Sequence, residues 1–122
     1  MPLKGRCHCG AIQFELSEAP TELTSCNCSF CSRRGALVTY AKPDQFRLTT
    51  APDRVWTYQW GHYVGQHHYC PVCGIGTHQV FPSFDTGKPD FDDMWVGVNA
   101  RLFEDLAWEK LPVKALNGRE GW

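Results

Sequence analysis

No sign of charge prevails in this chain: twelve lysines and arginines face thirteen aspartates and glutamates, for a formal net charge of −1 over 122 residues. So balanced a surface offers no field to hold a nucleic-acid backbone or an anionic membrane, and the expected partner is a small molecule. Long apolar runs are missing as well. Met1-Pro2-Leu3-Lys4-Gly5 leads straight to Cys7 without a stretch that an export machinery would recognise, and no later segment is long enough to span a bilayer. The expectation is a cytoplasmic protein, in a reducing compartment where clustered thiols serve as metal ligands rather than disulfides. Repeats, low-complexity tracts and charge runs are absent too, and helical periodicity is scarce. The length fits one domain spanning residues 1–122, which removes roughly two thirds of the unfolded surface from water with little margin, so a metal staple would help.

What the chain does have is seven cysteines, an odd number that suits metal ligation better than pairing. They fall into Cys7-His8-Cys9, Cys26-Asn27-Cys28-Ser29-Phe30-Cys31 and Cys70-Pro71-Val72-Cys73. A C-x-C places two sulfurs on one side of a turning backbone, and a C-x-x-C wraps a turn around an ion. A closed tetrahedral zinc site consumes four sulfurs, usually as two pairs distant in sequence. Three then remain, and a zinc ion with three protein ligands keeps its fourth position for water or substrate. The competing reading closes the second site with a histidine, His8, His62, His67, His68 or His78, and leaves both metals purely structural. Labile thiolates that merely buffer zinc are a third option.

Around the cysteines the pattern is β. Ile12, Phe14 and Leu16 alternate with Gln13 and Glu15, the period of a half-buried strand. Alternation also marks 45–49 and 54–60, β-rich or apolar runs mark 36–40 and 94–99, and 64–69 and 77–81 read as the two strands flanking the last cysteine turn, with turns at Pro43-Asp44 and Pro52-Asp53. Residues 17–24 read as a connection, 29–34 as one helical turn, 82–93 as a loop, 103–108 as a short helical turn and the tail after Pro112 as exposed. Trp56, Tyr58 and Trp60 share one face of their strand and read as core. Of the cations near the cysteines, Arg33, Arg34, Lys42 and Arg101, none is singled out as a binder. The fold class is mainly β, a single small domain of mostly antiparallel strands with little helix.

Three motifs in order carry a resemblance to a known family: Gly5-Arg6-Cys7-His8-Cys9-Gly10-Ala11-Ile12, Cys26-Asn27-Cys28-Ser29-Phe30-Cys31 with Gly35, and Tyr69-Cys70-Pro71-Val72-Cys73-Gly74. The chain resembles the glutathione-dependent formaldehyde-activating enzymes, also called the centromere-protein-V-like family. Val96-Gly97-Val98-Asn99-Ala100-Arg101 is similar to the strand that closes the family's domain, so the resemblance covers almost the whole chain. It implies a zinc-stapled set of twisted antiparallel sheets, in which Cys7, Cys9, Cys70 and Cys73 hold a structural zinc, and Cys26, Cys28 and Cys31 hold a second, open one. It also implies an activity, condensation of glutathione with formaldehyde to S-hydroxymethylglutathione, formally a carbon–sulfur lyase written in reverse.

Overall fold

The computed structural model describes residues 2–121. Ten strands form two sheets among the described residues, with helix confined to short turns. The smaller sheet has the order β1-β2-β5, from β1 (Leu3–Arg6), β2 (Gln13–Leu16) and β5 (Phe46–Leu48). The larger contains β3 (Leu23–Cys26), β4 (Val38–Ala41), β6 (Trp56–Tyr58), β7 (Gln66–Tyr69), β8 (Gly76–Ser83), β9 (Asp90–Asn99) and β10 (Val113–Leu116). Its spatial order is β10-β3-β4-β9-β8-β7-β6. Every pairing between these strands is antiparallel except that of β10 with β3, which is parallel. No helix among the described residues is long and apolar enough to cross a membrane.

The inner faces of the two sheets meet around Phe14, whose ring lies 5.5 Å from that of Phe46 and 5.6 Å from that of Phe103. Leu3 and Leu16 join it from the small sheet, and Leu23, Ala41, Val96 and Val98 from the large one. Full burial of a Val, Leu or Phe side chain contributes about 1.5–3 kcal/mol, so this cluster supplies most of the apolar stabilisation. Gly5 is what lets the aromatics close, because a Cβ there would stand 2.5 Å from Phe14 Cε2. A second, smaller cluster of Cys7, Ile12 and Cys70 adjoins the first through Leu48, with Val55 and Ile75 packed against it.

Several segments differ from their sequence reading. The expected loop at 82–93 shrinks to 84–89, because β8 runs on to Ser83 and β9 begins at Asp90. Both faces of β9 are exposed at that end, so its aspartates show no alternation, and a register shift after Pro82 accommodates the missing N–H. Phe103 is taken up by the core and bridges Gly5 instead of starting a helical turn; 3-10 turns form at Ala100–Leu102 and Trp108–Lys110. The tail after Pro112 is exposed but not free, since β10 hydrogen-bonds to β3 through its backbone. The connection from Ser17 ends early, at Leu23, where β3 begins.

Candidate functional site

Two turns bring four thiols together. Cys7 follows β1, and the chain reverses through Gly10 at φ +83°, with Gly10 N donating to Cys7 O at 3.2 Å and Cys7 N to Ile12 O at 3.1 Å. Cys70 follows β7, and the second turn closes the same way: Gly74 has φ +78°, its N–H meets Cys70 O at 2.8 Å, and Cys70 N meets Ile75 O at 3.0 Å. Left-handed φ is easy only for glycine, so both turns depend on it. Amides also point at sulfur, Ile12 N at Cys7 Sγ (3.4 Å) and Cys73 N at Cys70 Sγ (3.5 Å).

Cys7 Sγ stands 3.7 Å from Cys9 Sγ, Cys9 Sγ stands 3.6 Å from Cys70 Sγ, and all four sulfurs of Cys7, Cys9, Cys70 and Cys73 lie within 4.8 Å of one another. Zinc–sulfur bonds of about 2.3 Å in a tetrahedron demand sulfur–sulfur edges of about 3.8 Å, so the spacing fits the ion. The thiols divide their charge unevenly. Burial and the neighbouring sulfurs push Cys9 up to about 11 although the Ala11 amide pulls the other way. Cys73 falls to about 6, since amides of Cys9 and Ile75 and neighbouring thiols outweigh desolvation. Thiolate is the form a soft cation takes, and the amides aimed at Cys7 and Cys70 favour it.

The second cluster lies where β3 ends. Cys26 is its last residue, Cys28 caps the helix α1 (Ser29–Arg34), and Cys31 sits within that helix; their sulfurs also lie within 4.8 Å. Cys28 Sγ accepts Cys31 N at 3.3 Å, as a serine cap would. Although burial opposes it, the Cys28 thiol is held below its ordinary value by that amide and by the thiols of Cys31 and Cys26. Burial pushes Cys31 up instead, with its two sulfur neighbours adding to the effect. Gly35, at φ +72°, ends the helix by donating to Cys31 O.

Among the described residues none of the five histidines joins either cluster. His8 and His62 are exposed. His67 pairs through Nδ1 with Gln79 Oε1 (3.0 Å), His68 with Thr57 Oγ1 (2.9 Å) and His78 with Thr77 Oγ1 (2.8 Å). His78 is packed between Phe46 and His68, and burial, then the charges of His68 and Arg34, lower it from 6.5 to about 3. It is therefore neutral in the fold, whereas in the unfolded chain it takes a proton below pH 6.5. Stability is expected to fall as pH drops from about 6.5 toward 3, at up to about 1.4 kcal/mol per pH unit from this group. Urea unfolding of wild type and His78→Gln between pH 7 and 4 reads this directly, and the variant should show the shallower acid slope. Identical slopes would count against it, because loss of metal from the thiolates is common to both proteins.

The aromatic row is a correction, because Trp56 and Tyr58 are 59% and 51% exposed rather than core. Phe30 of α1 stacks on this strand, 5.8 Å from Tyr58 and 5.9 Å from Trp60, with the His67 ring 4.3 Å away. Two of the four cations named above are occupied: Lys42 pairs with Asp93, and Arg101 lies over Trp108. Arg33 meets Ser29 O at 2.9 Å, while Arg34 is half-buried. Sequence reasoning missed Asn27, which braces the three-thiol loop. Its N–H donates to Leu116 O (3.1 Å), its Nδ2 to Asn117 Oδ1 (2.9 Å), and its Oδ1 accepts Arg119 N (2.9 Å). Nothing near Asn27 in sequence signals partners so distant.

This pairing of two cysteine clusters on a small two-sheet fold belongs to a defined class of proteins. Over residues 2–91 the chain matches the glutathione-dependent formaldehyde-activating enzyme family, and it is a member of that family. It is also similar to the crystal structure of a Rhodobacter sphaeroides protein determined by the Northeast Structural Genomics effort, with a TM-score of 0.70 and 31% identity. That likeness covers 91% of this chain and 99% of the other. At family level the function is formaldehyde-activating or glutathione-related.

Proposed function

We propose that this chain is one domain over residues 1–122 that condenses glutathione, or another small thiol, with formaldehyde or a related small aldehyde. In this reading Cys7, Cys9, Cys70 and Cys73 hold a structural zinc, and Cys26, Cys28 and Cys31 hold a second. The observation that carries it is the inventory of the second cluster: three thiols and no histidine among the described residues. A zinc ion held by those three thiols would supply a Lewis acid that lowers the pKa of the substrate thiol.

The chain's own residues do the positioning. The end of β3 fixes Cys26, the helix cap fixes Cys28, and one turn of α1 brings Cys31 beside them. No protein nucleophile is needed: the substrate's sulfur forms the bond to the aldehyde carbon, and the thiol's proton finishes on the former carbonyl oxygen. Because the uncatalysed addition is already quick, proximity and a lowered thiol pKa are the whole contribution required. Seven free cysteines suit a reducing cytoplasm, and neither nucleic acid nor a membrane is needed as partner. The alternative, a non-catalytic module with two structural zincs, requires a fourth protein ligand at Cys26, Cys28 and Cys31.

The test compares the rate of hydroxymethyl-thiol formation with and without zinc-loaded protein, alongside X-ray absorption at the zinc edge. Acceleration that scales with protein, together with added sulfur coordination on mixing with glutathione, is expected. No increment over the spontaneous rate, with coordination unchanged by glutathione, would rule the reading out.

A further inference from the structure

Against the helix that carries Cys31 opens a hollow of about 520 Å³, lined by Ser29, Phe30, Arg33, Arg34, Tyr58 and Trp60. Two of its lining groups have a buried N–H without a partner, Arg34 Nε and Trp60 Nε1. An unpaired buried donor costs about 1–3 kcal/mol, more when charged, so two in one hollow point to an acceptor that arrives from outside. No acidic side chain serves: the ion pairs among the described residues are Arg6–Glu104, Lys42–Asp93 and Arg47–Glu15.

Arg34 is also fixed in position. Its guanidinium lies 5.8 Å from the centre of the Phe30 ring, and it rests against Gly76, where a Cβ would come within 2.3 Å of Nε. The absence of a side chain at Gly76 makes that seat. Arg34 follows Cys31 by three residues, so the two share one side of α1 about a turn apart. A half-buried planar guanidinium that shares a hollow with an indole N–H, walled by aromatic rings, matches a planar anion with two oxygens.

Resting on the reading of Cys26, Cys28 and Cys31 as the thiol site, we infer that Arg34, with Trp60, anchors the carboxylate of the thiol substrate. The site then selects small thiols that bear a carboxylate over neutral thiols of the same size. The rival role for Arg34, balancing the charge of three thiolates, affects all thiols alike and acts on metal retention.

Calorimetric titration of the zinc-loaded protein with 3-mercaptopropionate and with 2-mercaptoethanol separates the two. Wild type is expected to bind the carboxylate thiol at least tenfold more tightly. Arg34→Gln should abolish that preference while affinity for 2-mercaptoethanol and zinc content stay unchanged. Gly76→Ala, which keeps the charge but displaces the guanidinium, should reduce the preference with little effect on melting. Equal affinities in wild type would overturn the anchor, as would an Arg34→Gln protein that loses the second zinc or weakens toward both thiols equally. Rates measured on the same samples keep the two readings apart. Preference without acceleration supports the anchor and sinks the enzyme, whereas equal acceleration of both thiols does the reverse. A wild-type protein that binds neither thiol defeats both.

Discussion

Cys28→Ser is expected to carry one zinc fewer per chain than wild type and to lose all acceleration over the spontaneous reaction of thiol with formaldehyde, while melting within about 5 °C of it. The separation follows from the double duty of this side chain. As a cap, Cys28 Sγ accepts the Cys31 amide at 3.3 Å, and a serine hydroxyl caps a helix at least as well. As a metal ligand a neutral hydroxyl is a poor substitute for thiolate, so two sulfurs remain where three are needed. The side chain is buried, 2% exposed, so exchanging sulfur for oxygen costs about 1 kcal/mol, or a few degrees in a domain of this size. Elemental analysis, the rate assay and a thermal scan on one preparation check the three parts. A variant that keeps both its zinc content and its rate would show that Cys28 holds no metal.

Cys70→Ser should do the opposite and remove the fold. Cys70 is completely buried, accepts the Cys73 amide, and faces Cys9 Sγ across 61 residues of sequence. It thus ties the turn between β1 and β2 to the turn between β7 and β8. Structural zinc binding is worth about 10–16 kcal/mol, as much as or more than the roughly 5–15 kcal/mol by which a domain is stable at all. Apolar packing does not compensate, because the local cluster has only Ile12 besides Cys7 and Cys70 fully buried. Loss of the near-ultraviolet circular dichroism and of the cooperative melt is expected, without rescue by excess zinc. A cooperative melt within a few degrees of wild type would mean that the four sulfurs are packing residues and not a staple.

The four-thiol cluster was legible in sequence because each pair brings its own glycine, and the turn chemistry of Gly10 and Gly74 is local. β2 and β5 were legible because one face of each meets the core, so their residues alternate, and β8 because it returns the chain from the Cys70–Cys73 turn. Strands that alternation does not mark were missed or shortened. β10 is exposed along most of its length and is held by backbone bonds, and the first residues of β9 project beyond the body of the sheet. The aromatic row misled because its neighbour is a six-residue helix from another part of the chain, which covers Trp60 and leaves Trp56 and Tyr58 largely open. Arg34 could not be told from Arg33, since only the fold places Gly76 beneath one of them.

The brace on Asn27 also dictates an order of assembly on the ribosome. All four thiols of the first group are present once Cys73 has emerged, and its two turns close as soon as Gly74 and Ile75 follow. Cys26, Cys28 and Cys31 are synthesised earlier, yet the loop between them is pinned by Leu116, Asn117 and Arg119, up to 92 residues later. The thiols made first after Cys9 are thus the last to be held in place, and during translation they form the more exchangeable of the two groups. On the proposed reading of both groups as metal sites, a nascent chain would load them in the reverse order of synthesis, with the scaffold filled before the final strand docks and readies the other.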